Sequence, residues 1–201
     1  MKSKSIIFII FFTTVTYFSG SAQRFNGGIL AGLSGSEISG DRLEGPNKAG
    51  IYAGGFVNFY FTERSSIQME LDFIQKGSRK NPDTINYESY ILRINYVELP
   101  VHYKYDFGER WTLETGLSLG VLISKYEEVN EIVQENVYPA FKDRDLSFNI
   151  GLFYSLIERL RLNIRYSNSI LAVRPHSGGQ TYRWNKGQYN EVLSFTLHYD
   201  L

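Results

Sequence analysis

The three histidines are the side chains of this chain best suited to acid–base or metal chemistry. His102 and His198 stand in alternating apolar–polar segments, in phase with polar residues, where a hydrogen-bonded structural role is expected. His176 precedes Ser177 and two glycines, a pair that a hydrolase could use but that is equally typical of a loop. Neither a metal-ligand spacing nor a phosphate-binding glycine motif accompanies them, and cysteine is absent. We therefore expect no enzyme, no catalytic residue, no metal site and no cofactor.

Some of the charged residues of the chain stand in segments that alternate apolar and polar residues. Ile67, Met69 and Leu71, for example, are interleaved with Gln68 and Glu70. Strict alternation predicts β-strands with one apolar face. Eight such segments follow one another, two of them weaker because they are rich in glycine: 24–34, 49–61, 66–73, 91–106, 112–123, 145–154, 160–167 and 193–201.

The connections between these segments alternate strictly between short and long. The long ones are polar stretches at about 35–48, 78–90, 125–143 and 172–188. In an antiparallel meander every short turn then falls at one end, as in bacterial transmembrane β-barrels, whose short turns are periplasmic and whose long loops are extracellular. We predict an all-β fold, an eight-stranded antiparallel up-and-down transmembrane β-barrel, with both termini periplasmic.

A Glu-Arg pair marks each of the three short turns and recurs nowhere else in the chain. We interpret these pairs as hairpin-closing residues that keep the periplasmic turns in water, just beyond aromatic residues at the lipid boundary. They are Glu63, Arg64, Glu109, Arg110, Glu158 and Arg159.

The segment 91–106 changes phase by one residue. Leu92, Ile94 and Tyr96 are followed by Val97 and Leu99 in the opposite phase. A β-bulge near Tyr96 and Val97 would absorb the extra residue. Alternatively, the first half of the segment projects beyond the sheet and follows a different pattern.

The N-terminus has the plan of a secretory signal peptide. Two lysines precede an apolar run from Ile6 to Phe12, and small residues follow up to Ala22. The run is too short to span ~30 Å of hydrocarbon as a helix, which argues against a membrane anchor. We predict a signal peptide at 1–22 and a barrel domain at 23–201. The whole chain has 21 basic and 21 acidic residues, so nothing favours nucleic-acid binding.

If the apolar phase faces lipid, the polar phase fills the lumen. An eight-stranded barrel is just wide enough for side chains to fill it, and buried charges must be paired. We expect a structural polar network and no open pore, with Arg161 and Arg165 reaching across to acids of the third to fifth segments. Its members are Gln68, Glu70, Asp72, Glu98, Lys104, Glu114, Asn149, Arg161, Arg165 and His198.

Aromatic residues gather at strand ends, as the two girdles of a lipid-embedded barrel would require. One set, which includes Phe25, Phe59 and Trp111, maps to the short-turn end. A second set maps nearer the long loops and includes Tyr87, Tyr90, Tyr126 and Tyr166.

One stretch carries a family resemblance. Tyr96-Val97-Glu98-Leu99-Pro100-Val101-His102-Tyr103-Lys104-Tyr105 is similar to the Tyr-x-Glu-apolar-Pro…Lys-Tyr strand of Bacteroidota outer-membrane β-barrel domains, the group of PorT-like proteins. The stretches 50–54, 69–77 and 162–166 match more loosely, and the chain ends in Leu201 where such barrels usually end in an aromatic residue. The resemblance implies an outer-membrane location and supplies no activity.

These observations favour a non-enzymatic integral outer-membrane protein with an envelope-binding, structural or secretion-accessory role. Its expected partners are outer-membrane lipid and lipopolysaccharide, the barrel-assembly machinery during biogenesis, and an unidentified envelope protein. The alternatives are a soluble lipocalin-like barrel that binds a small apolar ligand, or an outer-membrane hydrolase acting through the last loop.

Overall fold

The computed structural model describes residues 25–40, 46–82, 87–134, 139–176 and 187–201. The predicted signal peptide, 1–22, lies outside the described residues. Within them, no helix is long and apolar enough to cross a membrane.

Most of the described chain is β-strand. Eight long strands form the barrel wall, and a ninth of two residues, β6, pairs only with the end of β5. The strands are β1 (Phe25–Ser39), β2 (Lys48–Tyr60), β3 (Ser65–Lys80), β4 (Tyr90–Phe107), β5 (Trp111–Val129), β6 (Ile132–Val133), β7 (Arg144–Ile157), β8 (Leu160–Ser169) and β9 (Tyr189–Asp200).

The sheet closes on itself. Each wall strand pairs antiparallel with its neighbour in the order β1-β2-β3-β4-β5-β7-β8-β9, and β9 pairs back with β1, for example at Leu30 and His198. The predicted eight-stranded antiparallel barrel is confirmed. Residues 61–64, 108–110 and 158–159 connect strands at one rim, here called the short-turn end; the opposite rim is called the loop end.

Several strands extend further toward the loop end than the alternation indicated. Strand β5 continues to Val129 and turns back into β6 through Asn130 and Glu131, which have φ angles of 50° and 65°. Positive φ at two successive residues is what a tight hairpin turn requires. From Ser124 to Glu128 the residues are polar on both faces, so the alternation that indicates a lipid-facing strand disappears while the pairing continues.

The predicted phase change within β4 is wrong. Leu92, Ile94 and Tyr96 face inward, and so do Glu98 and His102, so the strand alternates without a break. The inward-facing side chains change in character along the strand: they are apolar at the level of Leu92 and polar at the level of Glu98. A bulge does exist at Asn95 and Tyr96, but the extra residue, Ile123, belongs to the partner strand β5.

The outer surface carries an apolar belt, and the lumen holds the charges. Leu71 and Leu117, on the outside, are 61% and 49% exposed, whereas Glu70 and Glu114 inside are buried. At the short-turn end aromatic side chains of the outer face pair, for example Trp111 with Tyr154 at 4.7 Å between ring centroids. The loop-end girdle is sparser than predicted, because the Tyr90 hydroxyl turns to donate a hydrogen bond to Glu127.

An arginine placed in the middle of the belt tests which solvent the outer face meets. We expect Leu117→Arg to destabilise the barrel in lipid vesicles by about 2–4 kcal/mol, because a charge at the bilayer midplane is costly. Ile157→Arg at the short-turn end is the matched control and should cost no more than about 1 kcal/mol. Reversible urea titration of folding into vesicles measures both. Equal costs would contradict a belt that spans lipid.

Candidate functional site

The lumen is organised around the guanidinium of Arg165. Its Nε and Nη2 donate to Glu114 at 2.7 and 3.0 Å, and its Nη2 and Nη1 donate to Glu70 at 2.7 and 2.8 Å. All three side chains are buried. One planar cation therefore holds two carboxylates bidentately, the geometry in which a guanidinium binds carboxylate most strongly.

Further polar groups add hydrogen bonds to this centre. The Tyr52 hydroxyl accepts from Arg165 at 2.8 Å and donates to Asp72 at 3.1 Å. The amide of Gln68 donates to Glu70 and accepts from the ammonium of Lys104 at 2.8 Å. The ammonium of Lys104 also lies 4.0 Å from the ring centroid of Phe153, a cation–π contact. The buried charges are thereby largely compensated within the barrel.

Glu70, His102 and Glu114 form the most metal-like group among the described residues. One ligand atom from each lies within 4.8 Å of the other two, and the imidazole Nδ1 is 3.4 Å from Glu70 and 3.6 Å from Glu114. The other ring nitrogen shares a hydrogen bond with Asn149 at 3.1 Å. Arg165 already supplies a positive charge between the same two carboxylates. We interpret the group as part of the network, with His102 as a structural histidine.

Glycines on the inner wall make room for the carboxylates. A Cβ on Gly151 would lie 2.3 Å from an oxygen of Glu114, and a Cβ on Gly54 would lie 2.0 Å from an oxygen of Asp72. No side chain fits at either distance, so these positions admit only glycine while the acids keep their places.

A second buried cluster lies one layer nearer the loop end. The ammonium of Lys76 lies 2.6 Å from Glu98 and 3.0 Å from Asp145. Asp145 also accepts hydrogen bonds from Ser169 and Asn190, each at 2.7 Å. Of this cluster only Glu98 was among the predicted site residues. Continuing the inward phase of β3 from Asp72 to Lys76, and that of β7 from Asn149 to Asp145, would have found its two other charged members.

Nearer the short-turn end, one predicted pairing is wrong. Arg161 does not reach the acids of β3, β4 or β5; it donates to Asp200 on the adjacent strand β9 at 2.8 Å and stacks over the rings of Phe56 and Phe153. His198 lies beside the same two rings and shares a hydrogen bond with Thr196 at 3.0 Å. Asp200, on the strand paired with β8, supplies the carboxylate that Arg161 binds.

The ten predicted lumen residues thus all lie inside the barrel, in three layers. The central layer around Arg165 holds Gln68, Glu70, Asp72, Lys104, Glu114 and Asn149, while Glu98 belongs to the upper layer and Arg161 and His198 to the lower. Above them, at the loop end, Ile38, Leu92, Ile94 and Val173 are packed together as an apolar layer, capped by Arg174, which donates to Glu127 at 3.3 Å.

The short-turn mouth forms an open polar cavity of about 570 Å³. It is lined by five of the six residues of the Glu-Arg pairs: Glu63, Arg64, Glu109, Arg110 and Glu158. Arg159 is exposed and is not among its lining residues. Asp200 and Arg161 lie on its inner side, between the mouth and the buried lumen. The mouth has the size of a small-molecule or peptide site, but its walls carry charges of both signs and little apolar surface.

An apolar outer belt around a charged, filled lumen defines the class of integral outer-membrane β-barrels. Within that class, residues 18–172 match the model of the outer membrane protein beta-barrel domain family, and the chain belongs to this family. No curated protein matches the sequence.

Solved structures with the same fold include Ail, the attachment invasion locus protein of Yersinia pestis, and Neisserial surface protein A. Ail is 11% identical, with a TM-score of 0.52 over 88% of this chain and 98% of its own. Neisserial surface protein A is also 11% identical, with a TM-score of 0.55 over 87% of this chain and 97% of its own. At this identity the likeness concerns the fold alone. The soluble lipocalin-like alternative is wrong, because the polar face of this barrel lies inside and the apolar face outside.

Removing the central cation should leave two buried carboxylates without their main partner. We expect Arg165→Met to lower the free energy of unfolding by about 3–5 kcal/mol, measured by urea titration in vesicles. In the triple variant Arg165→Met, Glu70→Gln and Glu114→Gln the charges disappear together, and most of the loss should be recovered. Arg159→Met, at an exposed turn, is the control. A loss in the triple variant as large as in the single one would mean that shape, not charge, holds this layer.

Proposed function

We propose that this chain is a non-enzymatic outer-membrane barrel whose lumen is closed to solutes and which acts through its two rims, in an envelope-binding, structural or secretion-accessory role. The observation that carries the proposal is the Arg165 network. The side chains of Arg165, Glu70 and Glu114 are at most 2% exposed although all three are charged. A water-filled channel would leave such groups accessible, as in the wide porins.

The layers above and below strengthen this reading. The cluster of Lys76, Glu98 and Asp145 is almost equally screened from solvent, and the apolar layer with Leu92 and Val173 stands over it. A solute entering at either rim would have to break buried ion pairs or cross apolar side chains. The lumen therefore serves to hold the wall together.

The absence of enzyme activity rests on where the titratable groups lie. His102 and His198 are fully buried in the lumen. His176 lies at the loop end, and its neighbour Ser177 lies outside the described residues. The short-turn mouth, the open cavity described above, contains no histidine among its lining residues.

We further propose that the short-turn end and both chain termini face the periplasm. Short turns inside and longer connections outside are the rule for such barrels. The barrel-assembly machinery would meet the short-turn end during insertion. There, the mouth lined by the Glu-Arg pairs would present charges of both signs to a polar segment of a periplasmic protein. The loop end would meet lipopolysaccharide.

The Bacteroidota PorT-like assignment remains part of this proposal and rests on the strand Tyr96–Tyr105. Its two polar positions have structural partners in the lumen: Glu98 pairs with Lys76 at 2.6 Å, and Lys104 donates to Gln68 at 2.8 Å. The motif therefore supports membership through its contribution to the barrel interior, and it selects no secretion partner.

Single cysteines test the orientation, because the chain has none of its own. We expect Ile132→Cys at the loop end to react with a membrane-impermeant maleimide in intact cells. Gly108→Cys would be a poor choice because Gly108 has a φ of +78°, so Glu158→Cys reports the short-turn end. It should react only after the outer membrane is permeabilised. The reverse pattern would contradict the proposed orientation.

Solute uptake tests the closed lumen. Vesicles containing the folded protein should swell no faster in small sugars than protein-free vesicles, because the layers around Arg165 and Lys76 block the lumen. Vesicles with a general diffusion porin serve as the positive control. Swelling at a rate near that of the porin, with the protein fully folded by its gel mobility without boiling, would contradict a closed lumen.

A further inference from the structure

The outer face of β3, β4 and β5 changes character in steps toward the loop end. The apolar belt ends near Phe73, Val97 and Val121, which lie side by side in register, with the bulged Ile123 as its last apolar residue on β5. The next outward row is polar: the amide of Asn95 donates to the hydroxyl of Ser124 at 2.7 Å, and Gln75 accepts from the backbone of Ile51 at 3.4 Å. The change from an apolar row to a polar row matches the change in a bilayer from its acyl chains to its interface.

The row beyond these amides is basic. Arg93 lies opposite Gly77, and Arg79 lies opposite Ile91, so the two arginines are diagonal neighbours on adjacent strands. Both side chains are exposed. Lys48 on β2 is close enough for both arginines to repel its charge, while its ammonium donates to the carbonyl of Ala49 at 2.6 Å.

One acid lies close to these like charges on the outer face: Glu128 of β5 stands opposite Ile91, diagonal to Arg93, and accepts a hydrogen bond from the Tyr126 hydroxyl. Neither Arg79 nor Arg93 makes an ion pair or a side-chain hydrogen bond with a residue in the described part of the chain. The opposite side of the barrel differs in sign. There, at the loop end of β1 and β9, Glu37 lies directly opposite Glu191. Positive charge therefore does not encircle the rim.

The depth of the arginines matches that of a lipid phosphate. Arg93 lies four residues beyond Val97, which at ~3.3 Å per residue and a tilt of ~40° puts it roughly 10 Å further from the midplane. Arginine binds phosphate through paired N–H donors, and its aliphatic stem can lie along apolar surface. Tyr126, opposite Arg93 on β5, adds an exposed aromatic ring of the kind found at membrane interfaces.

We propose that Arg79 and Arg93, with Lys48 behind them, form a docking surface for the phosphate groups of a phosphorylated lipid headgroup in the leaflet at the loop end. The surface is continuous with the apolar belt, so the acyl chains of the same lipid would pack on Phe73 and Val97. This deepens the proposed function, because in the proposed orientation that lipid belongs to the outer leaflet and carries its phosphates on a glycolipid. The bound molecule is thus a lipid whose phosphates contact the arginines and whose acyl chains pack on the apolar belt.

Lipid binding by the purified barrel tests this surface. The full-length folded protein in neutral detergent is titrated with bis-phosphorylated lipid A and with the same lipid after removal of both phosphates, and bound lipid is counted by native mass spectrometry. We expect the wild type to prefer the phosphorylated lipid. The variant Arg79→Gln/Arg93→Gln should bind it about 30-fold more weakly, since two cations near an anionic headgroup have an effect of that size. The wild type and the glutamine variant should bind the dephosphorylated lipid with equal affinity.

The control Lys142→Gln/Arg144→Gln removes two exposed cations at the same end of the barrel, beside β7. It should keep the preference. The variant Arg79→Lys/Arg93→Lys keeps the charge and loses the paired donors, so it should fall between the wild type and the glutamine variant. Folding of each variant is checked by its gel mobility without boiling.

Three results would overturn the docking surface: a glutamine variant that binds as the wild type does, a control that loses as much affinity as that variant, or equal binding of both lipids by the wild type. A wrong orientation would instead reverse the maleimide labelling and leave the phosphate preference intact, so the two failures are distinguishable.

Discussion

The contact of Arg165 with Glu70 spans the lumen, and the rest of the interior is arranged around it. Strand β8, which carries the arginine, and β3, which carries the glutamate, are four places apart in either direction around the ring of eight. The two side chains therefore meet from opposite walls, and Glu114 on β5 joins them from a third direction. A charge buried at this depth needs partners on several sides, and only a closed barrel of this size can supply them.

The need to surround buried charges with partners also explains the glycines on the inner wall. Gly54 and Gly151 stand where any side chain would collide with Asp72 or Glu114, so inward glycines and inward acids occur as pairs. The layers above and below separate the charges into small groups, each with its own ion pairs. The outer face carries the apolar residues that a soluble barrel would place inside. The same alternation thus places apolar side chains toward lipid outside and polar side chains in the filled lumen.

The sequence predicted the parts of this structure that depend on period and connection length. Alternation identified the strands, the short and long connections identified the topology, and the inward phase placed all ten polar residues in the lumen. It could not identify partners, because phase assigns a face but no depth. Arg161 and Arg165 share one phase and are four residues apart, yet one binds Asp200 on the next strand and the other binds acids across the lumen. The apolar layer with Leu92 and Ile94 was misread as a phase slip for the same reason. The loop-end extension of β5 was missed because, above the lipid, pairing continues without an apolar face.

The diametric placement of Arg165 and Glu70 has a kinetic consequence. An open sheet of the same eight strands would hold these residues at distant points of one face, each charge still in water or unpaired in lipid. The ion pair forms only when β1 meets β9 and the sheet curls shut, so it cannot guide the early steps of insertion. Its free energy is gained in the last step of folding and lost in the first step of opening. The ion pair therefore slows unfolding more than it speeds folding.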